Sequence, residues 1–373
     1  MTAATTRLKS LDALRGLTII GMIIVNTPGD WGFVYHPLNH ADWIGCTPTD
    51  LVFPFFLFIS GFSLFISITR RISKGDTKAQ LVKHLSIRSA MIFLIGLLLN
   101  GFPYYELSTF RILGVLQRIA LVNFFAGLLL IYTSYKTRIG IGVFILAAYY
   151  LLFALIPSPL TGTCNIDYEA NWAAWIDQNI LGKHTWQWMP LMDPEGILST
   201  LPAIVTGLLG IEVSRRFHKM DGKDAAFNRV IFLLVTGAIL TFLGLAWSTI
   251  FPFIKKLWTS SYVLYTAGLA STVLGLFYWF ADVKEKKMSF GLLYAFGLNP
   301  LTLYVGSELL IMIIGLLPVF GINNTPMNNA WVQSLSAMGM APKFASMLWA
   351  VVYTSLFAIL AWVMYKKKWV IKL

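Results

Sequence analysis

Charged residues are scarce in this sequence. They make up only 12% of its 373 residues, whereas a soluble globular protein carries roughly 25%. Most of the molecular surface is therefore expected to face something other than water. The net charge is positive, at +12, but the basic residues lie in short gaps between apolar runs rather than along one face. A nucleic-acid partner is therefore not expected.

Cysteine is also scarce, and the two cysteines present do not have a metal-binding spacing. No metal site is predicted. Cys46 and Cys164 fall in two loops that we expect on the same side of a membrane. A disulfide between these loops and two free thiols are both compatible with the sequence.

Long apolar runs are abundant. A helix needs about 20 apolar residues to cross a bilayer, and several runs reach or approach that length. The stretch 289–320 is too long for one straight span and contains Asn299-Pro300 in its middle, which predicts a broken helix. The other expected spans are 11–26, 51–69, 88–103, 112–135, 139–157, 196–213, 230–254, 261–281 and 344–365.

These runs predict an all-α fold, a polytopic membrane bundle of about ten transmembrane helices, or eleven if the broken stretch forms two. We treat residues 1–373 as one domain. Most of the 29 lysines and arginines fall in alternate connections, which places these connections and both termini in the cytoplasm by the positive-inside rule. The opposite side carries Arg111, Lys183, Lys255, Lys256 and Lys343.

The first outer loop, residues 27–50, concentrates groups that can carry chemistry. His40 is a candidate general base, because an imidazole with a pKa of roughly 6.5 accepts a proton at neutral pH. Asp50 is placed to orient that imidazole. The structural alternatives are a loop histidine that bonds a backbone carbonyl, and an aspartate that caps the helix beginning at Leu51.

Charged residues inside apolar runs form a second group of candidates. Arg118 lies within an expected span, where a charge is costly and indicates either an anion-binding role or a structural pair with a buried acid such as Glu308. Asp193-Pro194 begins a helix at the outer face, so Asp193 is expected to cap it. Glu195 is not needed for this capping and can therefore face a cavity.

Several stretches resemble one known family in the same order along the chain. The sequence resembles the membrane domain of the heparan-α-glucosaminide N-acetyltransferase family, as a bacterial-type member. The matching stretches are 7–16 (RLKSLDALRG), 25–26 (VN), 40–45 (HADWIG), 49–54 (TDLVFP), 114–118 (GVLQR), 193–198 (DPEGIL), 257–262 (LWTSSY) and 297–306 (GLNPLTLYVG).

The resemblance implies a transmembrane acyltransferase that moves an acetyl group from cytosolic acetyl-CoA to the amine of glucosamine on the far side of the membrane. The family's active-site histidine falls on His40 and its neighbouring asparagine on Asn26. The lumenal domain of the animal enzymes has no counterpart here, so the expected acceptor is a small amino sugar or a cell-wall fragment. The resemblance also implies a homodimer.

On this basis we expect His40 to deprotonate the amine, with Asn26 donating a hydrogen bond to the developing oxyanion and Asp50 orienting the imidazole. An acetyl-histidine intermediate is the alternative route. Basic residues on the cytoplasmic side would hold the phosphates of acetyl-CoA. The cofactor-binding candidates are Arg15 and Arg118, and the acceptor-binding candidates are Asp42, Trp43, Glu195 and Glu308.

Two rival functions fit the same sequence. One is an O-acyltransferase that acts on cell-surface glycans. The other is a transporter of amino sugars, which would use the broken helix with Arg118 and Glu308 as its binding site and would not need His40. In each case the expected location is the inner (plasma) membrane, with the His40 loop facing the periplasm or exterior.

Overall fold

The computed structural model describes residues 7–284, 290–316 and 325–371, and its regular structure is helical. A single 3₁₀ turn, His36–Leu38, lies in the first loop, and Trp279–Val283 extends the ninth α-helix as a π-helical turn. The α-helices are α1 Lys9–Asn26, α2 Pro48–Ser73, α3 Lys78–Gly101, α4 Val115–Tyr132, α5 Tyr135–Leu155, α6 Trp172–Ile180, α7 Ile197–His218, α8 Ala225–Ser248, α9 Ser260–Tyr278, α10 Gly291–Leu298, α11 Pro300–Leu316, α12 Met327–Ala337 and α13 Pro342–Lys366.

The helices confirm a polytopic helical membrane protein. In the described ranges, 8 helices are long and apolar enough to cross a membrane, and the bent pair α10–α11 makes up to 9. Helix α1 occupies the remaining expected span. It has only 18 residues, and three of them, Lys9, Asp12 and Arg15, are charged, so it is not among these candidate spans. By length and composition the count is thus 8 or 9 rather than ten, and the span at 11–26 stays a prediction.

The expected break at Asn299-Pro300 is confirmed. Helices α10 and α11 meet there at 83°. The Asn299 side chain fixes the bend, since its Nδ2 donates to the Trp369 carbonyl (2.8 Å) and its Oδ1 accepts from the Ile371 amide (2.8 Å). These bonds tie the bend to the segment that follows α13. Residues 289 and 317–320 of the expected stretch lie outside the described residues.

The chain divides into two compact units. Among the described residues, the first unit comprises 7–40, 47–53, 276–284, 290–316 and 325–371, and the second comprises 41–46 and 54–275. The described helices of the first unit are α1, α10, α11, α12 and α13, with the first turns of α2. The second unit contains the rest of α2, helices α3 to α8 and most of α9.

Within the first unit, α1 and α10 pack backbone to backbone. A Cβ atom added at Gly16 would lie 1.9 Å from the Leu293 carbonyl oxygen, and one added at Gly297 would lie 1.9 Å from that of Asp12. Small residues allow such close approach in membranes, where packing rather than the hydrophobic effect holds helices together. The contact fixes the position of α1, whose last residue is Asn26.

Within the second unit, α2 and α7 make the same kind of contact. A Cβ atom at Gly61 would lie 2.0 Å from the Gly207 carbonyl oxygen. Helix α7 is among the most buried elements of the unit, whereas α5 and α8 expose large apolar side chains such as Phe144 and Phe242. Apolar side chains exposed along whole helices are expected where the solvent is lipid.

Candidate active site

His40 and Asp50 form a hydrogen-bonded pair in the first unit. The imidazole Nδ1 lies 2.7 Å from Asp50 Oδ1. The Asp50 side chain is fully buried, whereas that of His40 is 38% exposed. Because an ionised carboxylate only accepts hydrogen bonds, the pair places a proton on Nδ1 and the basic lone pair on Nε2. The arrangement suits a general base.

The buried carboxylate of Asp50 is held by the start of α2. Its Oδ2 accepts from the backbone amide of Thr47 (2.9 Å) and lies 3.1 Å from the Thr47 hydroxyl, which also donates to the Asn39 carbonyl (2.7 Å). The expectation that Asp50 caps a helix beginning at Leu51 is wrong in detail. The helix begins at Pro48, so Asp50 sits in its first turn and reaches back to the amide before it.

Asn26 and Glu308 form a second pair in the first unit. Nδ2 of Asn26 donates to Oε1 of Glu308 at 2.9 Å. The two residues are 282 positions apart in sequence, and the bend before α11 lies between α10 and the segment that carries Glu308. No local pattern links them, which is why the sequence suggested a role for each but not their contact.

Arg15 lies in the first half of α1 and is already paired. Its Nη1 lies 3.1 Å from Asp12 Oδ1 and 3.3 Å from the Gly297 carbonyl oxygen. Arg7 also bonds the Asp12 carboxylate. A second carboxylate, that of Asp282, accepts from the Lys9 and Ser10 amides at the same end of α1. Cations and carboxylates are thus mixed here, and the two arginines are the groups that suit an anion.

Arg118 is a fully buried cation of the second unit. Its Nη2 donates to the Gly196 carbonyl (3.2 Å) and to the Ser199 hydroxyl. The guanidinium lies 5.1 Å from the ring centre of Trp258, within cation–π range. Nε and Nη1 are buried without a hydrogen-bond partner among the described residues.

The suggested pair of Arg118 with Glu308 stays a prediction, because the two residues belong to different units. Each residue has its partners within its own unit: Arg118 binds the start of α7, and Glu308 binds Asn26. The indole of Trp258, which lies over Arg118, donates to the Thr206 hydroxyl (3.1 Å). Trp258 has φ +54°, an uncommon backbone conformation for a bulky residue, which often marks a functional or strained position.

An ion-pair network beside Arg118 was missed by the sequence analysis. Arg111 binds Asp193 through two bonds, Nε to Oδ2 (2.8 Å) and Nη2 to Oδ1 (2.7 Å), and its Nη2 also binds Glu195 Oε2 (2.7 Å). The expected capping role of Asp193 is wrong, because α7 begins at Ile197 with Gly196 at the cap. The available signal was an arginine and an acidic pair, each just before an apolar run.

Electrostatics keep Arg111 and Glu195 ionised. Burial alone would lower the pKa of Arg111, but the hydrogen bonds and charges of Asp193 and Glu195 outweigh it and raise that pKa. Burial alone would raise the pKa of Glu195, but the charges of Arg111, Arg118 and Lys255 outweigh it and hold that pKa below its usual value. Glu195 is therefore a carboxylate at neutral pH.

Asp177, in the short helix α6, ties the network to α7. Its Oδ2 accepts from the Asp193 amide (3.0 Å) and its Oδ1 from the Ile197 amide (3.1 Å). Burial raises the pKa of Asp177 to about 6, although both backbone hydrogen bonds oppose that shift. The carboxyl group replaces hydrogen bonds that the first amides of α7 lack.

Asp42 and Trp43 lie in the second unit. The Trp43 indole donates to the Ile166 carbonyl (3.1 Å), and its ring contacts Tyr168 edge-on at 5.7 Å. Lys256 donates to the Asp42 carbonyl oxygen (2.7 Å). Trp43 is half-buried and Asp42 is exposed. Lys256 Nζ also lies 5.9 Å from the centre of the Trp43 ring, within cation–π range.

The two cysteines are not joined by a disulfide, with Cys164 exposed and Cys46 partly buried. Of the two alternatives left open by the sequence, the structure therefore has the one without the disulfide. None of the interactions described above involves Cys164.

The chain is similar to curated proteins over most of its length. It is 29% identical to the heparan-alpha-glucosaminide N-acetyltransferase of Homo sapiens, over 83% of this chain and 54% of the human protein. It is 27% identical to the Mus musculus protein of the same name, over the same shares. The chain thus spans about half the length of the curated relatives it matches.

A family model gives the more specific result. The model described as heparan-alpha-glucosaminide N-acetyltransferase, catalytic, matches residues 7–193. That range is half of the chain and includes His40, Asp50 and Arg118. The chain therefore belongs to the family of heparan-alpha-glucosaminide N-acetyltransferase catalytic domains.

Proposed function

We propose that this protein is a transmembrane N-acetyltransferase that moves the acetyl group of acetyl-CoA to the amine of glucosamine or a related amino sugar. The observation that carries the proposal is the 2.7 Å bond between His40 Nδ1 and the buried Asp50 carboxylate. The family of catalytic domains to which the chain belongs supports it. The relatives carry the name of that activity, and we extend it to this chain.

In the proposed reaction, His40 Nε2 accepts a proton from the attacking amine. The amine nitrogen bonds to the thioester carbonyl carbon, the carbon–sulfur bond breaks, and the proton held by His40 passes to the departing thiolate. The products are the N-acetyl amino sugar and free CoA. Asp50 stabilises the imidazolium that forms in between, as a buried carboxylate does for a general-base histidine.

Direct transfer is favoured over an acetyl-histidine intermediate. The His40 side chain is 38% exposed, so an acyl-imidazole there would be open to hydrolysis by water. Asn26, at the end of α1, supplies the second polar group to the reacting centre through its amide.

The phosphates of acetyl-CoA would require cations at the opposite end of the helices. Arg15 fits that requirement, since with Arg7 it surrounds Asp12 with more positive than negative charge. Arg118 fits a different part of the co-substrate. It lies beside the start of α7 and next to the Arg111 network, so its unpartnered Nε and Nη1 suit a carbonyl oxygen of the acyl-carrying arm better than a phosphate.

The acceptor would be bound from the outer side. Trp43 offers a flat apolar face for a pyranose ring, and Asp42 and Glu195 offer carboxylates for its amine and hydroxyl groups. We further propose that both termini lie on the cytoplasmic side of a plasma membrane and that the His40 loop faces the periplasm or exterior. We also propose that the protein is a homodimer.

Acetyl transfer in detergent tests the proposal. Purified protein, radiolabelled acetyl-CoA and glucosamine should give labelled N-acetylglucosamine. His40→Ala should lower the rate by about 10²–10⁴-fold, the usual worth of a general base, while CoA binding by calorimetry is unchanged. His36→Ala is the matched control, since His36 is an exposed histidine of the same loop, and it should retain full activity.

Two results would overturn the proposal and indicate its rivals. Acetyl transfer to a sugar hydroxyl and none to the amine would identify an O-acyltransferase. No transfer and no CoA binding, together with uptake of glucosamine by vesicles that is insensitive to His40→Ala, would identify a transporter. The bent α10–α11 pair with Glu308 in its second half would then be the transport site.

A further inference from the structure

The pair formed by Asn26 and Glu308 has no role in a mechanism built on His40 and Asp50 alone. Asn26 is the last residue of α1, a helix fixed by its glycine contacts with α10. Glu308 lies two turns into α11, after a bend that Asn299 holds in place. Both partners are therefore carried by anchored elements, and their 2.9 Å bond has a defined direction.

The direction of this bond determines how Asn26 is oriented. A carboxamide has a donor end and an acceptor end, and the two are similar in size. The Glu308 oxygen accepts from Asn26 Nδ2, so the NH₂ end is turned toward Glu308 and Oδ1 is turned away from it. Without an acceptor at position 308, the two orientations of the amide would not be distinguished.

We propose that Glu308 is a positioning residue that makes Asn26 present its carbonyl oxygen to the acceptor, and that this oxygen selects amines over hydroxyls. The proposal rests on the proposed acetyl transfer and revises the expected role of Asn26 as an oxyanion donor. Asn26 Oδ1 accepts a hydrogen bond from one N–H of the nucleophile, while His40 removes the other hydrogen as a proton.

The selectivity follows from counting hydrogens on the nucleophile. A neutral amine carries two hydrogens. One passes to His40 as a proton when the nitrogen attacks, and the other stays on the nitrogen and forms a hydrogen bond to Asn26 Oδ1. A hydroxyl carries one, which His40 must remove. An attacking alcohol therefore leaves Asn26 Oδ1 without a partner, and a site built to receive a hydrogen bond discriminates against the analogue that lacks the donor.

Further contacts hold Glu308 in the required position. The Tyr353 hydroxyl of α13 donates to the carbonyl of Ser307 (2.6 Å), the residue just before Glu308. Tyr353 in turn stacks on Trp349. These contacts fix the backbone of α11 without using the Glu308 carboxyl, so replacing that carboxyl is expected to leave the helix in place.

The test compares glucosamine with glucose, which carries a hydroxyl at the corresponding carbon. Glu308→Gln keeps the shape of the side chain and removes its preference for the NH₂ end of Asn26. It should lower kcat/KM for glucosamine about tenfold, the worth of one hydrogen bond, and leave transfer to glucose unchanged. The loss should appear in kcat, with CoA affinity and the melting temperature unchanged. Glu106→Gln, at an exposed loop position, is the control and should match the wild type.

A double-mutant cycle decides between coupling and an independent structural effect. Asn26→Ala combined with Glu308→Gln should be no slower with glucosamine than Asn26→Ala alone. Multiplied losses, or a Glu308→Gln enzyme with unchanged selectivity, would overturn the positioning role while leaving the acetyl transfer intact. Wild-type protein that acetylates neither sugar would instead refute the proposed function, and this inference with it.

Discussion

At the scale of residues, the carboxylate of Asp50 serves both the helix and the imidazole. One oxygen binds the Thr47 amide at the start of α2, and the other binds His40 Nδ1. A group held in this way cannot move when the imidazole gains charge, which makes it a rigid electrostatic partner. The same contact that begins the helix therefore also orients the proposed base.

Asp50→Asn separates these two roles. The amide keeps the size of the side chain, but it carries no negative charge and has one acceptor oxygen instead of two. We expect kcat to fall by about 10²–10⁴-fold, because the imidazolium is no longer stabilised and its tautomer is no longer fixed. Initial rates with saturating acetyl-CoA measure this. Asp30→Asn, in the same loop, is the control, and a rate within twofold of wild type for Asp50→Asn would contradict the pairing role.

Some of these residues were predictable and others were not, for a physical reason. His40 and Asp50 are 10 positions apart, just before one apolar run. Their proximity therefore follows from their short separation along the chain. Arg111 and Asp193 are 82 positions apart, and Asn26 and Glu308 are 282 apart. Partners of that kind depend on how helices pack, which composition and periodicity do not encode.

At the scale of elements, the apolar runs located the long helices well because a span needs a length that few other structures share. The run 51–69 lies inside α2, and the break at Asn299-Pro300 is where the structure bends. Helices α6 and α12 were not predicted from the sequence. They have 9 and 11 residues and lie in loops where no membrane-length pattern marks them.

Helix α6 gives the fold a pH-dependent contact with α7. The pKa of Asp177 is raised to about 6, so between its ordinary value and pH 6 the folded protein binds a proton that the unfolded chain releases. Stability is therefore highest below this window and falls as the pH rises through it. Asp193 and Arg118 are the charged neighbours of Asp177.

Thermal unfolding in detergent from pH 4 to pH 7 measures this contribution. Asp177→Asn should flatten the fall in melting temperature over that range, and should itself be destabilising by about 1–3 kcal/mol, because one backbone amide of α7 loses its acceptor. Asp167→Asn, at an exposed position before α6, should behave as the wild type. An unchanged slope in Asp177→Asn would show that another group causes the fall.

At the scale of the whole molecule, the account depends on sidedness. In the predicted orientation, Asn26 lies at the outer end of α1, and His40, Arg111 and Glu195 lie in outer connections. The basic connections lie on the cytoplasmic side. Acetyl-CoA is too large and too highly charged to cross lipid. The acetyl group alone would therefore have to pass from one side to the other.

Transfer across a sealed membrane tests this central claim most directly. Protein is reconstituted into vesicles that contain glucosamine, and radiolabelled acetyl-CoA is added outside only. The account predicts labelled N-acetylglucosamine inside the vesicles and free CoA outside, with activity lost in His40→Ala and retained in His36→Ala. Product that forms only when both substrates share one compartment would contradict it.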